Sequence, residues 1–191
     1  MASSMFRVHE ELSRTPAAGF RYTERWFEAF IERIFCADLD LQRDELPALQ
    51  AELFDLFGDP GTFEADPEAP ELCAEIRRLG LGQGIVSNWS EPLPHLLDGL
   101  GLSQRVDFVL VSAIEGLEKP DPRLFERALE RAGVEPHEAV HLGDHPERDY
   151  DAARSAGLEA VLLDRNGSEP SGTDRVQSLG EFAQWIRRRV S

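Results

Sequence analysis

The sequence predicts an α/β protein, a three-layer arrangement in which helices cover both faces of a parallel sheet, preceded by a helical region. In the second part of the 191-residue chain, short apolar runs alternate with helical segments. Such alternation favours a parallel sheet. In the first third, apolar residues instead recur at helical spacing. We therefore divide the chain into a helical region, residues 1–66, and an α/β region, residues 67–191.

The helical region contains two segments with a clear helical pattern. Aromatic and aliphatic side chains recur at helical spacing over residues 22–35, and a second pattern covers residues 46–57. Asp59-Pro60-Gly61 ends the second segment, and Asp66-Pro67 follows as another break. We interpret these breaks as the hinge between the helical region and the α/β region.

The α/β region is predicted to contain four strands, each a run of four or five mainly apolar residues. They are residues 84–87, 107–111, 139–142 and 160–163. Four helices are predicted between and after the strands. The first begins with Ser90 as its N-cap, and the others cover residues 121–132, 149–156 and 181–189. Ligands of such sheets bind beyond the carboxyl ends of the strands.

Composition excludes several classes of partner. The net charge is −16, and basic residues form no cluster except Arg187-Arg188-Arg189, which argues against nucleic acid as a partner. No apolar run reaches the roughly 20 residues of a membrane span, and no signal peptide opens the sequence. Two isolated cysteines, Cys36 and Cys73, fit a reducing compartment. We therefore expect a cytoplasmic protein without membrane or nucleic-acid partners, and its oligomeric state stays open.

Polar residues that suit phosphate chemistry follow the first three predicted strands. Ser87-Asn88 ends the first, Lys119 lies in the loop after the second, and Asp144 follows the third with Asp149 five residues later. Carboxylates are ligands for Mg²⁺, which proteins usually share with phosphate, and a hydroxyl can bind a phosphate oxygen. Each residue alone has an ordinary interpretation as a turn, loop or cap residue. Their order along one sheet edge favours a phosphate site.

Three motifs carry a resemblance to a known family. Ile85-Val86-Ser87-Asn88 resembles the second signature motif of the haloacid dehalogenase-like hydrolases. Gly116-Leu117-Glu118-Lys119-Pro120-Asp121-Pro122 resembles the third motif, and His141-Leu142-Gly143-Asp144 followed by Asp149 resembles the fourth. The resemblance covers residues 20–165 approximately and is closest to the hydrolase domain-containing protein 3 branch. It identifies the helical region as a cap that covers the α/β core.

The resemblance implies a Mg²⁺-dependent phosphomonoester hydrolase that acts on a small phosphorylated substrate through an aspartyl-phosphate. Ser87, Asn88 and Lys119 would bind the phosphoryl group, and Lys119 would also orient the nucleophile and neutralise charge. Asp144 would bind Mg²⁺, and Asp149 would either support the metal site or pair with Lys119. Gly143-Asp144 favours hydrolysis of phosphate esters over cleavage of carbon–halogen bonds.

The sequence departs from the family at the first motif, hhhhDxDxT, which should precede the cap and supply the nucleophile. Residues 1–20 contain no aspartate. Asp38 and Asp40 form a DxD pair, but the residues before them, 32–35, continue a helical pattern and are not an apolar strand. We therefore interpret the pair as an acidic turn between helices. We therefore expect residues 1–191 to be inactive. The alternatives are a non-catalytic binding protein of the same fold and, less favoured, a receiver-type phosphoacceptor domain.

The same departure predicts a structural feature. In the family, the strand of the first motif lies between the strands that here end at Ser87 and Leu142. Because adjacent strands lie about 4.8 Å apart, these two strands should be ~10 Å apart without that strand, with no ladder between them. The other expectation is that the chain is molten or aggregated when it is expressed.

Overall fold

The computed structural model describes residues 7–9, 11–12, 20–39, 41–167 and 174–190, without the side chains of Ala37 and Asp38. Two α-helices form the main part of the helical region: α1 (Glu24–Glu32) and α2 (Leu46–Gly58). A π-helix, Arg33–Asp38, continues directly from α1, so the single α-helix predicted over residues 22–35 is shorter than expected. The α-helical and π-helical hydrogen-bond patterns differ by one residue, which side-chain spacing cannot distinguish.

Aromatic side chains form the core of the helical region. Trp26 is 1% exposed and stacks on Phe30, with 5.2 Å between the ring centroids. Phe27 of α1 contacts Phe54 and Phe57 of α2 with its ring. The aromatic stripe of the sequence therefore joins the helices of the region to one another.

The α/β region contains the four predicted strands and one more. In chain order, its elements are α3 (Ala69–Arg78), β1 (Gly84–Ser87), α4 (Leu93–Gly99), β2 (Phe108–Val111), α5 (Ser112–Glu115), α6 (Pro122–Ala132), β3 (Val140–Gly143), a π-helix (Pro146–Asp151), α7 (Ala152–Ser155), β4 (Glu159–Leu163), β5 (Arg175–Val176) and α8 (Leu179–Val190). The two residues of β5 were not predicted, because so short a segment gives no periodic signal.

All strand pairs of the described residues are parallel, but they form two sheets. One sheet pairs β1 with β2, with Gly84 opposite Phe108. The other has the order β3-β4-β5, with Val140 opposite Glu159. Within the described part of the chain, no ladder joins β1 to β3, which agrees with the gap expected between them.

Helices cover both faces of the second sheet, which confirms the predicted three layers. Ala160 of β4 packs with Phe125 of α6 and Ala153 of α7. The next residue, Val161, packs on the other face with Phe182 and Ile186 of α8. Alternate residues of a strand point to opposite faces, so β4 contributes to two cores at once.

Two helix boundaries differ from the prediction and one agrees with it. Ser90 is not an N-cap: Pro92 occupies that position, and only the carbonyl group of Ser90 accepts a bond, from the Leu93 N–H. The helix predicted over residues 149–156 begins earlier, as the π-helix. The helix predicted over residues 121–132 agrees with α6: Asp121 is its N-cap, and the Asp121 carboxylate accepts the Arg123 N–H at 3.0 Å.

Within the α/β region, helix α3 is joined to α8 by an ionic cluster at Glu75. The Glu75 carboxylate accepts hydrogen bonds from Arg78 and, at 2.5 Å, from Arg187 of α8. The hydrogen bonds from these two arginines, those from Arg78 first, lower the pKa of Glu75 to about 2. The proposed boundary between residues 66 and 67 places α3 with the α/β region, where this contact joins it to α8.

Replacing Glu75 with glutamine is expected to lower the melting temperature at neutral pH, because the neutral amide loses both charged partners. A lowered pKa in the folded state stabilises the protein above the ordinary glutamate pKa of about 4.3. This contribution declines as the pH falls towards 2. The difference in melting temperature between the wild type and Glu75→Gln should therefore become smaller as the pH falls from neutral to ~3. A constant difference over that range would contradict the assignment.

In the part of the chain that the structure describes, no helix is both long and apolar enough to cross a membrane.

Candidate functional site

The residues predicted to carry the chemistry lie at one edge of the structure, beyond the carboxyl ends of the strands. Ser87 is the last residue of β1, and Asp144 follows Gly143 at the end of β3. Lys119 lies in the loop between α5 and α6, next to both strand ends. The contacts of Lys119 connect β1 to the π-helix that follows β3.

Asn88 holds the backbone of the Lys119 loop. Its side-chain oxygen accepts the Lys119 N–H at 2.8 Å, and its side-chain nitrogen donates to the Lys119 carbonyl group, also at 2.8 Å. The next peptide bond, Lys119-Pro120, is cis. The predicted contact between Asn88 and phosphate stays a prediction, and the structure adds a positioning role that the sequence did not indicate.

The Lys119 ammonium group lies between β1 and the π-helix that follows β3. It donates to the Val86 carbonyl group of β1 at 3.0 Å and to Asp149 Oδ1 at 2.5 Å, and its side chain is 11% exposed. Lys119 is the only lysine in the sequence, and the remaining basic residues are arginines. A compact ammonium group suits this confined position better than a planar guanidinium group.

Asp149 is buried, and its carboxylate accepts three hydrogen bonds. Lys119 and His141 Nε2, at 3.0 Å, contact Oδ1, and the His145 N–H contacts Oδ2 at 3.1 Å. Burial alone would raise the pKa of Asp149, but the hydrogen bond with His141 and the charge of Lys119 outweigh it, so the pKa is lowered. Of the two predicted alternatives for Asp149, the structure has the pairing with Lys119.

Gly143 is required by the close approach of Asp149 to the end of β3. A Cβ atom at position 143 would lie 2.2 Å from the Asp149 Cγ atom. Any side chain there would displace the carboxylate that Lys119 contacts. The glycine of the motif, Gly143, therefore has a steric reason that is independent of metal binding.

His141 is a site residue that the sequence did not reveal as such. Its ring packs edge-on against Phe125, with 5.0 Å between centroids. Burial, which is the main cause, and the charge of Lys119 lower the pKa of His141, although the bond with Asp149 opposes them. A neutral imidazole facing a carboxylate must donate, so Nε2 carries the proton. The only signal in the sequence was a histidine within an apolar strand.

His141 should make the protein less stable in mild acid. Its pKa is lowered in the folded state, so the unfolded chain takes up the proton first, below the ordinary value of about 6.5. The contribution of neutral His141 to the free energy of unfolding is therefore fully present above the ordinary pKa and is lost as the pH falls below it. His141→Gln keeps an N–H donor but does not titrate. Between pH ~7.5 and ~5.5 its melting temperature should fall less than that of the wild type. Parallel curves would refute this expectation.

Ser87 and Asp144 retain free polar atoms at the site. Within the described residues, neither side chain has a hydrogen bond or ion pair, and Asp144 is exposed. The described part of the chain contains no group of three or more His, Cys, Asp or Glu side chains that could hold a metal ion. An exposed carboxylate without a protein partner nevertheless suits Mg²⁺, which binds one or two carboxylates together with water and phosphate oxygens.

The helical region contacts the core near the site. Arg21 Nε lies 3.2 Å from an oxygen of Glu118, the residue before Lys119. Phe63, between α2 and α3, contacts the ring of Trp89, the residue after Asn88. The Trp89 N–H donates to Ser112 Oγ, and the Ser112 hydroxyl donates to the Trp89 carbonyl group. These contacts join the helical region to the loops that contain Lys119 and Asn88.

Only part of the DxD pair, Asp38 and Asp40, lies within the described residues. The backbone of Asp38 ends the π-helix after α1 and does not belong to a strand. The Asp38 side chain and all of Asp40 lie outside the described residues, so their interpretation as an acidic turn stays a prediction.

Comparison with known proteins gives consistent matches. The sequence profile of the haloacid dehalogenase-like hydrolases matches residues 7–157. Haloacid dehalogenase-like hydrolase domain-containing protein 3 of Bos taurus is 33% identical over 78% of this chain and 58% of its own length. Phosphoserine phosphatase of Thermus thermophilus is 37% identical over 87% of this chain and 67% of its own length. The chain thus spans little more than half of the first of these relatives.

Solved structures show the same fold. A phosphatase of this superfamily from Thermococcus onnurineus superimposes with a TM-score of 0.66 at 26% identity. The match covers 97% of this chain and 89% of the other. The alignment therefore includes both the helical region and the α/β region.

Proposed function

This chain belongs to the haloacid dehalogenase-like hydrolases, and on that premise we propose that its site serves Mg²⁺-dependent hydrolysis of a small phosphorylated metabolite through an aspartyl-phosphate. The observation that carries the proposal is the position of the Lys119 ammonium group. It lies 3.0 Å from the Val86 carbonyl oxygen, beside Ser87, and 2.5 Å from Asp149. The match with phosphoserine phosphatase supports phosphate esters as the substrate class.

The chemistry requires positive charge beside a dianionic phosphoryl group. Two of the three hydrogens of the Lys119 ammonium group are used by Val86 and Asp149. The third is available to an anionic oxygen. Fixed charges in a site with little water stabilise a transition state without reorganisation. Asn88 keeps Lys119 in place through two backbone contacts, so the charge is preorganised.

The remaining residues take roles that follow from their contacts. The Ser87 hydroxyl group would donate to a phosphoryl oxygen. Asp144 would bind Mg²⁺, and Asp149 would keep the adjacent loop in position through the His145 N–H, without binding the metal directly. When bound, Mg²⁺ neutralises phosphate oxygens so that an anionic nucleophile can approach.

Neither carboxylate of the described site suits the role of nucleophile. Asp149 is engaged by three donors, and Asp144 is assigned to the metal. Residues 1–191 alone should therefore bind phosphate but not hydrolyse esters. The alternative, a non-catalytic binding protein, shares this property. The phosphatase and the non-catalytic protein can be distinguished only when a strand that carries a carboxylate is added. A phosphatase would then become active, and a binding protein would not.

The experiment uses residues 1–191 with an added N-terminal segment of the form hhhhDxDxT, here called the extended protein. Asp144→Asn in the extended protein should abolish the stimulation of p-nitrophenyl phosphate hydrolysis by Mg²⁺ and remove most of the turnover. The matched control is Asp151→Asn, an exposed acid of the following π-helix. Equal Mg²⁺ dependence in both variants would exclude Asp144 as the metal ligand.

A further inference from the structure

Ser112 is a buried polar residue to which the proposed chemistry assigns no role. It follows Leu110 and Val111, the buried end of β2, and is itself 0% exposed, so its hydroxyl group is kept from water. Burying a hydroxyl group costs free energy unless the group is hydrogen-bonded. The partners of this hydroxyl group therefore indicate what Ser112 does at the end of β2.

A single residue, Trp89, uses both hydrogen-bonding functions of the Ser112 hydroxyl group. The Trp89 N–H donates to Ser112 Oγ at 3.0 Å, and the hydroxyl group donates to the Trp89 carbonyl oxygen at 3.1 Å. The same carbonyl oxygen also accepts the Ala113 N–H at 3.3 Å. Because a hydroxyl group has only one hydrogen, its donor is fully used here. Both polar backbone groups of Trp89 are thus attached to the beginning of α5.

These hydrogen bonds continue the connection between β1 and β2 beyond the end of their ladder. The last pair of the ladder is Ser87 with Val111. Directly beyond it, Trp89 is bonded to Ser112. Asn88 therefore lies between two residues that are both attached to the β2 side. The Ser112 hydroxyl group thus limits the backbone conformations that are open to Asn88.

Asn88 extends this restriction to the backbone of Lys119. Its side chain accepts the Lys119 N–H and donates to the Lys119 carbonyl group, both at 2.8 Å. Lys119 and Ser112 belong to the same connection between β2 and α6. The contacts therefore form a closed ring, which runs from Ser112 through Trp89 and Asn88 to Lys119 and returns along the chain. Loss of the Ser112 hydroxyl group would open this ring at Trp89.

We propose that Ser112 is a positioning residue of the site, which fixes Lys119 through Trp89 and Asn88. The Lys119 ammonium group depends on its backbone position for the distance of 3.0 Å to the Val86 carbonyl oxygen. A misplacement of about 1 Å can lower the rate of an enzyme by about a hundredfold, so a hydroxyl group remote from the reacting atoms can affect turnover. The positioning of Lys119 does not depend on the reaction, and only its effect on turnover rests on the proposed function.

The test compares three substitutions of Ser112 in residues 1–191. Ser112→Ala removes the hydroxyl group, Ser112→Cys keeps a similar shape with only a weak donor and acceptor, and Ser112→Thr keeps the hydroxyl group. The control is Ile186→Val, which removes one methylene group from a buried residue of α8 and lowers the stability by a loss of packing. Amide hydrogen exchange, followed by NMR, measures how often the bond between the Lys119 N–H and Asn88 opens.

Ser112→Ala and Ser112→Cys should each accelerate the exchange of the Lys119 amide by at least about tenfold, because Asn88 then holds this N–H group less firmly. Ser112→Thr should exchange at nearly the wild-type rate. Ile186→Val should lower the melting temperature and leave the exchange of the Lys119 amide nearly unchanged. If Ser112→Ala does not fold, Ser112→Cys gives the same comparison with almost no change in volume.

Two results would overturn the proposal. One is unchanged exchange of the Lys119 amide in Ser112→Ala and Ser112→Cys, and the other is equal acceleration in Ile186→Val, which would indicate a general loss of stability. Hydrolysis of p-nitrophenyl phosphate is measured separately in the extended protein, where Ser112→Ala should lower kcat by about tenfold and change KM much less. An unchanged kcat would overturn the effect of Ser112 on the reaction. Faster exchange of the Lys119 amide, combined with no turnover by the folded extended protein itself, would leave the positioning role intact and refute the proposed function instead.

Discussion

Replacing Lys119 with methionine in the extended protein is expected to lower kcat by about two to three orders of magnitude, as removal of one preorganised donor does in other enzymes. Methionine keeps most of the length and apolar volume of the side chain but has no charge. It leaves the Val86 carbonyl group and Asp149 without their shared partner. The rate of p-nitrophenol release at saturating substrate measures the effect.

Arg123→Met is the matched control, because Arg123 is a nearby cation in the first turn of α6 that pairs with Asp121 at the surface. Its kcat should stay near that of the extended protein. Since Lys119 is the only lysine, an amine-specific reagent labels only this side chain and the N-terminus. Labelling of Lys119 should abolish turnover. A folded Lys119→Met variant with near wild-type kcat would show that the ammonium group is not part of the chemistry.

Asp149→Ala is expected to destabilise the fold by roughly 3–5 kcal/mol, the usual effect of removing one partner of a buried ion pair. The Lys119 and Asp149 side chains are only 11% and 5% exposed, so the remaining ammonium group stays buried and without its counter-ion. Net stabilities of domains are about 5–15 kcal/mol, so this single change approaches the limit of folding. Urea denaturation measures it in residues 1–191.

The double variant Lys119→Met, Asp149→Leu separates the lost charge balance from lost packing. Replacing both charges by apolar groups should destabilise the fold much less than Asp149→Ala. The exposed pair Arg123–Asp121, with side chains 66% and 28% exposed, provides a control. Asp121→Asn should change the stability by at most about 1 kcal/mol. Equal losses for Asp149→Ala and the double variant would contradict the ion-pair account.

The parts of the site that could be predicted from the sequence lie directly after strands. Ser87 and Asp144 each end an apolar run, and parallel strands bring their carboxyl ends to one edge. Lys119 was predicted from its motif, and its contacts with Val86 and Asp149 agree with that position. Local periodicity and strand polarity are enough for such assignments.

Other parts of the site depend on contacts between distant segments, which periodicity does not contain. Asn88 was predicted as a phosphate ligand, yet its side chain binds the backbone of Lys119. His141 was given no role in the site by the sequence, and its bond with Asp149 exists only because the π-helix Pro146–Asp151 returns to β3. The Arg21–Glu118 pair likewise requires the helical region to pack against the α/β region.

The hydrolysis of p-nitrophenyl phosphate tests the proposed chemistry most directly when three proteins are compared. They are residues 1–191, the extended protein, and the extended protein with asparagine in place of the first aspartate of the added hhhhDxDxT segment. We expect Mg²⁺-dependent turnover from the extended protein alone. The other two should stay at the background rate, because the site formed by Ser87, Lys119 and Asp144 would lack a nucleophile. Comparable turnover by residues 1–191, or no turnover by a folded extended protein, would contradict the account.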